Sequence, residues 1–160
     1  MKNAHGNETQ IQNVPLLVAG VLSSLASLTH IAIIIGGPAW YRTFGAGEEM
    51  AQMAENGDMY PALITSAIAA ILAVWAAYAF AGAGLIRTLP FMRFCLLGIS
   101  AIFILRAALG FLVVLFSNHP SVQEWQGRTT FMMVSSLIVL LFGLAYAVGT
   151  AQRWRHLTPK

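Results

Sequence analysis

Arg106 is the residue whose chemistry most needs an explanation. It sits just past the middle of residues 94–116 (FCLLGISAIFILRAALGFLVVLF), a 23-residue run with no other charge. A guanidinium in hydrocarbon costs from about +2.5 to about +17 kcal/mol, depending on how it is measured, so something must compensate it. In one reading it snorkels outward or clamps backbone carbonyls and an outer-loop carboxylate. In the other it is an anion site, a contact for a substrate carboxylate or part of a proton path. Cys95, Gly98, Ile102, Gly110 and Val113 share its helical face, and the two glycines predict that this face meets another helix rather than lipid. No acid lies within any apolar run, so a proton relay would lack its other half. Glu49, Glu55 and Asp58, in the loop after the first run, are the best acidic partners.

His30 is the second such residue, about one turn below the end of the first apolar run. It suits a ring near the interface, hydrogen-bonded to a serine or a backbone carbonyl. The sharper reading makes it a haem or metal ligand with His119 as partner, or the contact of a membrane quinone. Four-helix haem proteins place their axial histidines deeper, and His119-Pro120 reads as loop. No cofactor or metal is therefore expected, with haem kept as an alternative. Tyr78 lies at depth in the second run and needs a hydrogen-bond partner, which adds it to the binding candidates. His5 and His156 fall in the tails.

The acidic stretch GEEMAQMAENGD lacks the alternating oxygen positions of a calcium loop. It reads as an amphipathic lid, with Met50, Met53 and Ala54 on one face and Glu48, Gln52 and Glu55 on the other. No G-x-x-x-x-G-K-[ST], G-x-S-x-G or H-E-x-x-H occurs, which leaves nucleotide, serine-hydrolase and zinc-protease chemistry without support. The single cysteine, Cys95, rules out an intrachain disulfide and a cysteine metal cage. No catalytic residue is assigned.

The elements that position these residues follow from composition. The chain is 58% hydrophobic and 9% charged, with a mean hydropathy of +0.70. A water-facing domain carries about 25% charged residues, so the class is integral membrane protein. The net charge of +3 is scattered, and no basic cluster with interleaved aromatics suggests nucleic acid.

The expected fold is all-α: four transmembrane helices over residues 14–35, 61–83, 94–116 and 130–150, with a short amphipathic helix over 47–56. Residues 14–151 make one domain between an N-terminal tail (1–13) and a basic tail (152–160). The tail before the first run is poor in positive charge, and the run is too long for a signal peptide's apolar core. It is expected to stay as the first span.

Asn13 can cap that span, with Pro15 in its first turn, and Gly36-Gly37-Pro38 is expected to stop it. Small residues four apart (Ala19, Ser23 and Ser27; Ala69, Ala73, Ala77 and Ala81; Gly143 and Ala147; Ala145 and Gly149) predict close helix seams. The Ala69, Ala73 and Ala77 row could also carry self-association or another membrane protein. Trp40, Tyr41, Phe44, Tyr60 and Trp154 suit the headgroup layer.

One side of the membrane receives Lys2, Arg87, Arg93, Arg153, Arg155 and Lys160. The other receives Arg42 and Arg128 with five acids. This bias puts both termini in the cytoplasm.

With GPAWYRTFGAGEEMA…NGDMYP after the first span and GLIRTLP after the second, the chain resembles small uncharacterised bacterial inner-membrane proteins of four spans. That resemblance implies a localisation and no sites. Small multidrug-resistance transporters also have four spans, but they depend on a carboxylate within the first, where this chain offers only His30. The DoxX-like proteins are similar in size and span count and share no motif with it. The expected function is a non-enzymatic accessory or self-associating membrane subunit. The alternatives are a transporter or channel for a small solute, anions among the candidates, using Arg106, and a redox protein with haem or quinone near His30.

Overall fold

The computed structural model describes residues 13–116, 129–155 and 157, and the described residues form five helices. They are α1 (Val14–Thr43), α2 (Glu48–Glu55), α3 (Tyr60–Ala83), α4 (Met92–Leu115) and α5 (Thr129–Arg153). All but α2 are long and apolar enough to cross a membrane. Their bounds lie within three residues of the spans expected from hydropathy, except at the end of α1.

Asn13 caps α1 in an extended conformation, its Oδ1 accepting from the Leu16 N–H at 2.9 Å. Gly36-Gly37-Pro38 was expected to end this helix, but only interrupts it. Gly37 takes φ 67°, ψ −152°, a conformation that residues with a Cβ avoid. Pro38, which has no N–H to satisfy, then opens a further stretch of helix to Thr43. The bare backbone of Gly36 lets the Trp40 ring lie against it, and Trp40 stacks on Phe44 at 5.5 Å.

The amphipathic pattern of α2 has its expected effect. Ala51 is buried in a small cluster with Ile33 and Tyr41, while Met50 and Ala54 pack on that cluster and Glu48, Gln52 and Glu55 are exposed. This helix lies across one end of the bundle, here called the α2 end.

The four long helices alternate in direction and form a ring. α1 packs chiefly on α3, and α4 chiefly on α5. The two pairs meet more sparingly along α1–α5 and α3–α4. Ala19, Ser23 and Ser27 are all buried, as their spacing predicts. The alanine row of α3 behaves differently: Ala69 and Ala81 are buried, Ala77 is half-buried and Ala73 is exposed. At 3.6 residues per turn, a strict four-residue step drifts about 40° each time. The row therefore winds off the packed face, which instead follows Thr65, Ala69, Leu72, Ala76, Ala79 and Ala83.

Candidate functional site

The end opposite α2 is closed by polar ties. Asn13 Nδ2 donates to Gly149 O and to Gln152 Oε1, each at 3.2 Å, and the Asn13 N–H donates to Ala83 O at 3.4 Å. The start of α1 is thus fastened to the ends of α3 and α5. Gly82 and Gly149 let it come close, since a side chain on either would collide with Leu16. Arg93 Nη2 donates to Trp154 O at 2.6 Å, and its guanidinium lies over the Trp154 ring at 4.9 Å.

The middle is filled by rings. Phe103 contacts Trp75, Phe142 and Tyr146 at centroid distances of 5.0, 5.2 and 5.8 Å. Tyr146 is fully buried, and its hydroxyl donates to Trp75 O at 2.9 Å and pairs with Ser23 Oγ at 2.9 Å. One hydroxyl therefore joins α5, α3 and α1. Ser27 Oγ donates to Ala69 O at 2.8 Å and Ser100 Oγ to Gly143 O at 3.0 Å, adding one tie within each helix pair. These polar groups fasten helices together.

Toward the α2 end the α1–α5 seam opens into a cleft of about 510 Å³. Its α1 wall runs from Leu22 through Leu25 and Ala26 to His30, and its α5 wall from Phe142 through Ile138 and Val134 to Phe131. Phe44 and Phe131 form its lip. The lining is apolar apart from Thr29, His30 and Ser135. Both hydroxyls bond within their own helices, Thr29 Oγ1 donating to Leu25 O at 2.9 Å and Ser135 Oγ to Met132 O at 3.1 Å. His30 Nδ1 lies 2.7 Å from Ala26 O, and a carbonyl can only accept, which places the proton on Nδ1. In that tautomer Nε2 is the ring's acceptor.

The binding candidates from the sequence do not converge. Arg106 is exposed on α4, and of the two glycines on its face only Gly110 meets another helix. A Cβ on Gly110 would strike Ser136, whereas Gly98 faces open space. None of the carboxylates proposed for Arg106 bonds to it. Glu55 and Glu48 instead bind Arg42 at 2.7 and 2.8 Å, because α2 follows α1 after a short turn and docks over α1 and α3. That guanidinium holds the Glu55 carboxyl below its usual range.

Glu49 and Asp58 are exposed on the α2 side. Tyr78 belongs to the opposite end: it is not deep, and its hydroxyl donates to Pro90 O at 3.3 Å in the α3–α4 turn. His119 lies outside the described residues, as do Lys2, Arg128, Glu124 and Lys160. Among the described residues no three His, Cys, Asp or Glu side chains cluster as metal ligands.

Sequence reasoning missed Tyr146, the fully buried tyrosine, and Ser136, whose buried hydroxyl has no partner. A signal for Tyr146 existed in the glycines that flank it, Gly143 and Gly149, which draw neighbouring helices close. No protein-family model, curated protein or solved structure matches this chain.

Proposed function

We propose that this chain is a non-enzymatic accessory subunit of a bacterial inner membrane, and that it seats a transmembrane helix of a partner protein in the α1–α5 cleft. The cleft is the observation that carries this reading. Its walls repeat at three- and four-residue steps, with Leu22, Leu25 or Ala26, and Thr29 or His30 on α1. On α5 the series is Phe131, Val134 or Ser135, Ile138 or Val139, and Phe142. Such spacing presents the ridges between which a third helix packs. The positive-inside bias supports a topology with the α2 end, and with it the mouth of the cleft, outside and both termini in the cytoplasm.

A transport path along the bundle axis would have to displace the Trp75, Phe103, Phe142 and Tyr146 rings, and Arg106 lies outside that axis. Self-association would use the shallow groove where Ser24 and Leu28 of α1 face Ala73 and Ala77 of α3. A second reading, favoured by the acceptor Nε2 of His30, is that the cleft takes an apolar molecule with a hydroxyl donor, such as a membrane hydroquinone.

Native mass spectrometry of the protein, gently extracted from its own membrane, separates these readings. An added polypeptide mass is expected. A bare chain, copies of the chain alone, or only a small hydroquinone-like mass would overturn the accessory reading.

A further inference from the structure

Arg106 is an intramembrane cation that no described residue bonds. Helical side chains lean toward the N-terminus of their helix, yet Arg106 runs the other way. Its Nη1 lies 3.0 Å from where a Cβ of Gly110 would stand, one turn closer to the α2 end. That turn is five residues short of Leu115, or about 7.5 Å below the end of α4 at 1.5 Å per residue. The 24 residues of α4 span about 36 Å, against a hydrocarbon core of about 30 Å. With α4 centred, the guanidinium sits only about 4–5 Å beneath the hydrocarbon boundary.

Ser136 converges on the same point from α5. Its side chain is 0% exposed and its hydroxyl has no partner, while its Oγ lies against Gly110. A fork of N–H donors and a spare hydroxyl thus meet where α4 carries no side chain. Guanidinium is complementary to the paired oxygens of a phosphate, and a phosphate supplies the counter-charge that α4 needs.

We propose that Arg106, Ser136 and the bare backbone of Gly110 form a phosphate site that holds the headgroup of a phospholipid in the leaflet at the α2 end. The site is distinct from the α1–α5 cleft and does not depend on what the cleft holds.

The test places the full-length chain in bilayer discs of phosphatidylglycerol mixed with a phosphate-free galactolipid and counts retained lipids by native mass spectrometry. The wild-type chain should keep phosphatidylglycerol in preference to galactolipid. Arg106→Gln should reduce the retained phospholipid about tenfold, with Ser136→Ala giving a smaller loss. Arg106→Lys, which keeps the charge and loses the fork, should fall between, and it carries the test if the glutamine variant does not fold.

Equal retention of phosphatidylglycerol by wild type and Arg106→Lys, or equal retention of the two lipids by wild type, would overturn the site. Displacement of phosphatidylglycerol by millimolar inorganic phosphate would assign it to the free ion and overturn the lipid. Recovery with wild type, but not with Arg106→Gln, of a protein that bonds Arg106 through a carboxylate would also overturn it.

Discussion

Replacing Tyr146 with phenylalanine removes one oxygen from the middle of the bundle and tests whether its polar contacts fasten the helices. The hydroxyl makes two contacts of 2.9 Å, to Trp75 O on α3 and Ser23 Oγ on α1. Interhelical hydrogen bonds in membranes average about 0.6 kcal/mol and reach about 1.7, so the pair contributes about 1.2 kcal/mol. The ring stays, and with it the stacking on Phe103 at 5.8 Å. Trp75 O keeps its own helical donor, and Ser23 can turn to the carbonyl of Ala19, so the substitution strands no polar group. Tyr146→Phe should therefore destabilise the folded state by about 1–1.5 kcal/mol, and Ser23→Ala by about 0.6.

The assay is reversible unfolding in mixed micelles, with all four members of the double-mutant cycle. A coupling of about 0.6 kcal/mol between the two positions is expected. Zero coupling, or a loss above about 3 kcal/mol for Tyr146→Phe, would refute the reasoning, the first because the bond would contribute nothing and the second because ring packing would have changed.

Asn13→Ala removes the α1 cap and both side-chain ties to α5, and should cost about 1–2 kcal/mol in the same assay, with earlier proteolysis at the Asn13 end. Gly149→Val drives a side chain into Leu16 and should cost about 3 kcal/mol or more, read as a lowered unfolding midpoint. The docking of α2 should depend on pH. Glu55 titrates below its ordinary 4.5 when folded, so the Arg42 bond stabilises α2 fully above that pH and is lost as the pH falls through the depressed folded value. Amide exchange of α2 should therefore speed up in acid while α3 stays protected, and an α2 exchange rate independent of pH beyond the intrinsic trend would contradict this.

Hydropathy, prolines and caps made the helices legible, because the four spans are long apolar runs, with Pro15 and Pro61 in the first turns of α1 and α3 and Gly84 just past the end of α3. The break at Gly37 was legible too, but the restart was not. A proline that ends one helix can begin the next, and only the packing of Tyr41 beneath α2 shows that it does. The alanine row of α3 misled through its regularity, since a strict four-residue step cannot stay on one face of a straight helix. The polar partners were the least legible. Arg42, not Arg106, takes the loop carboxylates because chain connectivity puts α2 beside it, and a one-dimensional reading of charge does not carry that proximity. Tyr78 and Tyr146 look alike in sequence, and only helix register decides that one reaches a turn and the other the bundle centre.

The cleft is the central functional claim, and position-specific crosslinking in the native membrane tests it most directly. A photoreactive side chain at Ile138, in the cleft wall, is compared with one at Ile102, exposed on α4. The accessory reading predicts a discrete polypeptide adduct from Ile138 and none from Ile102. Adducts only to lipid at both positions would contradict it.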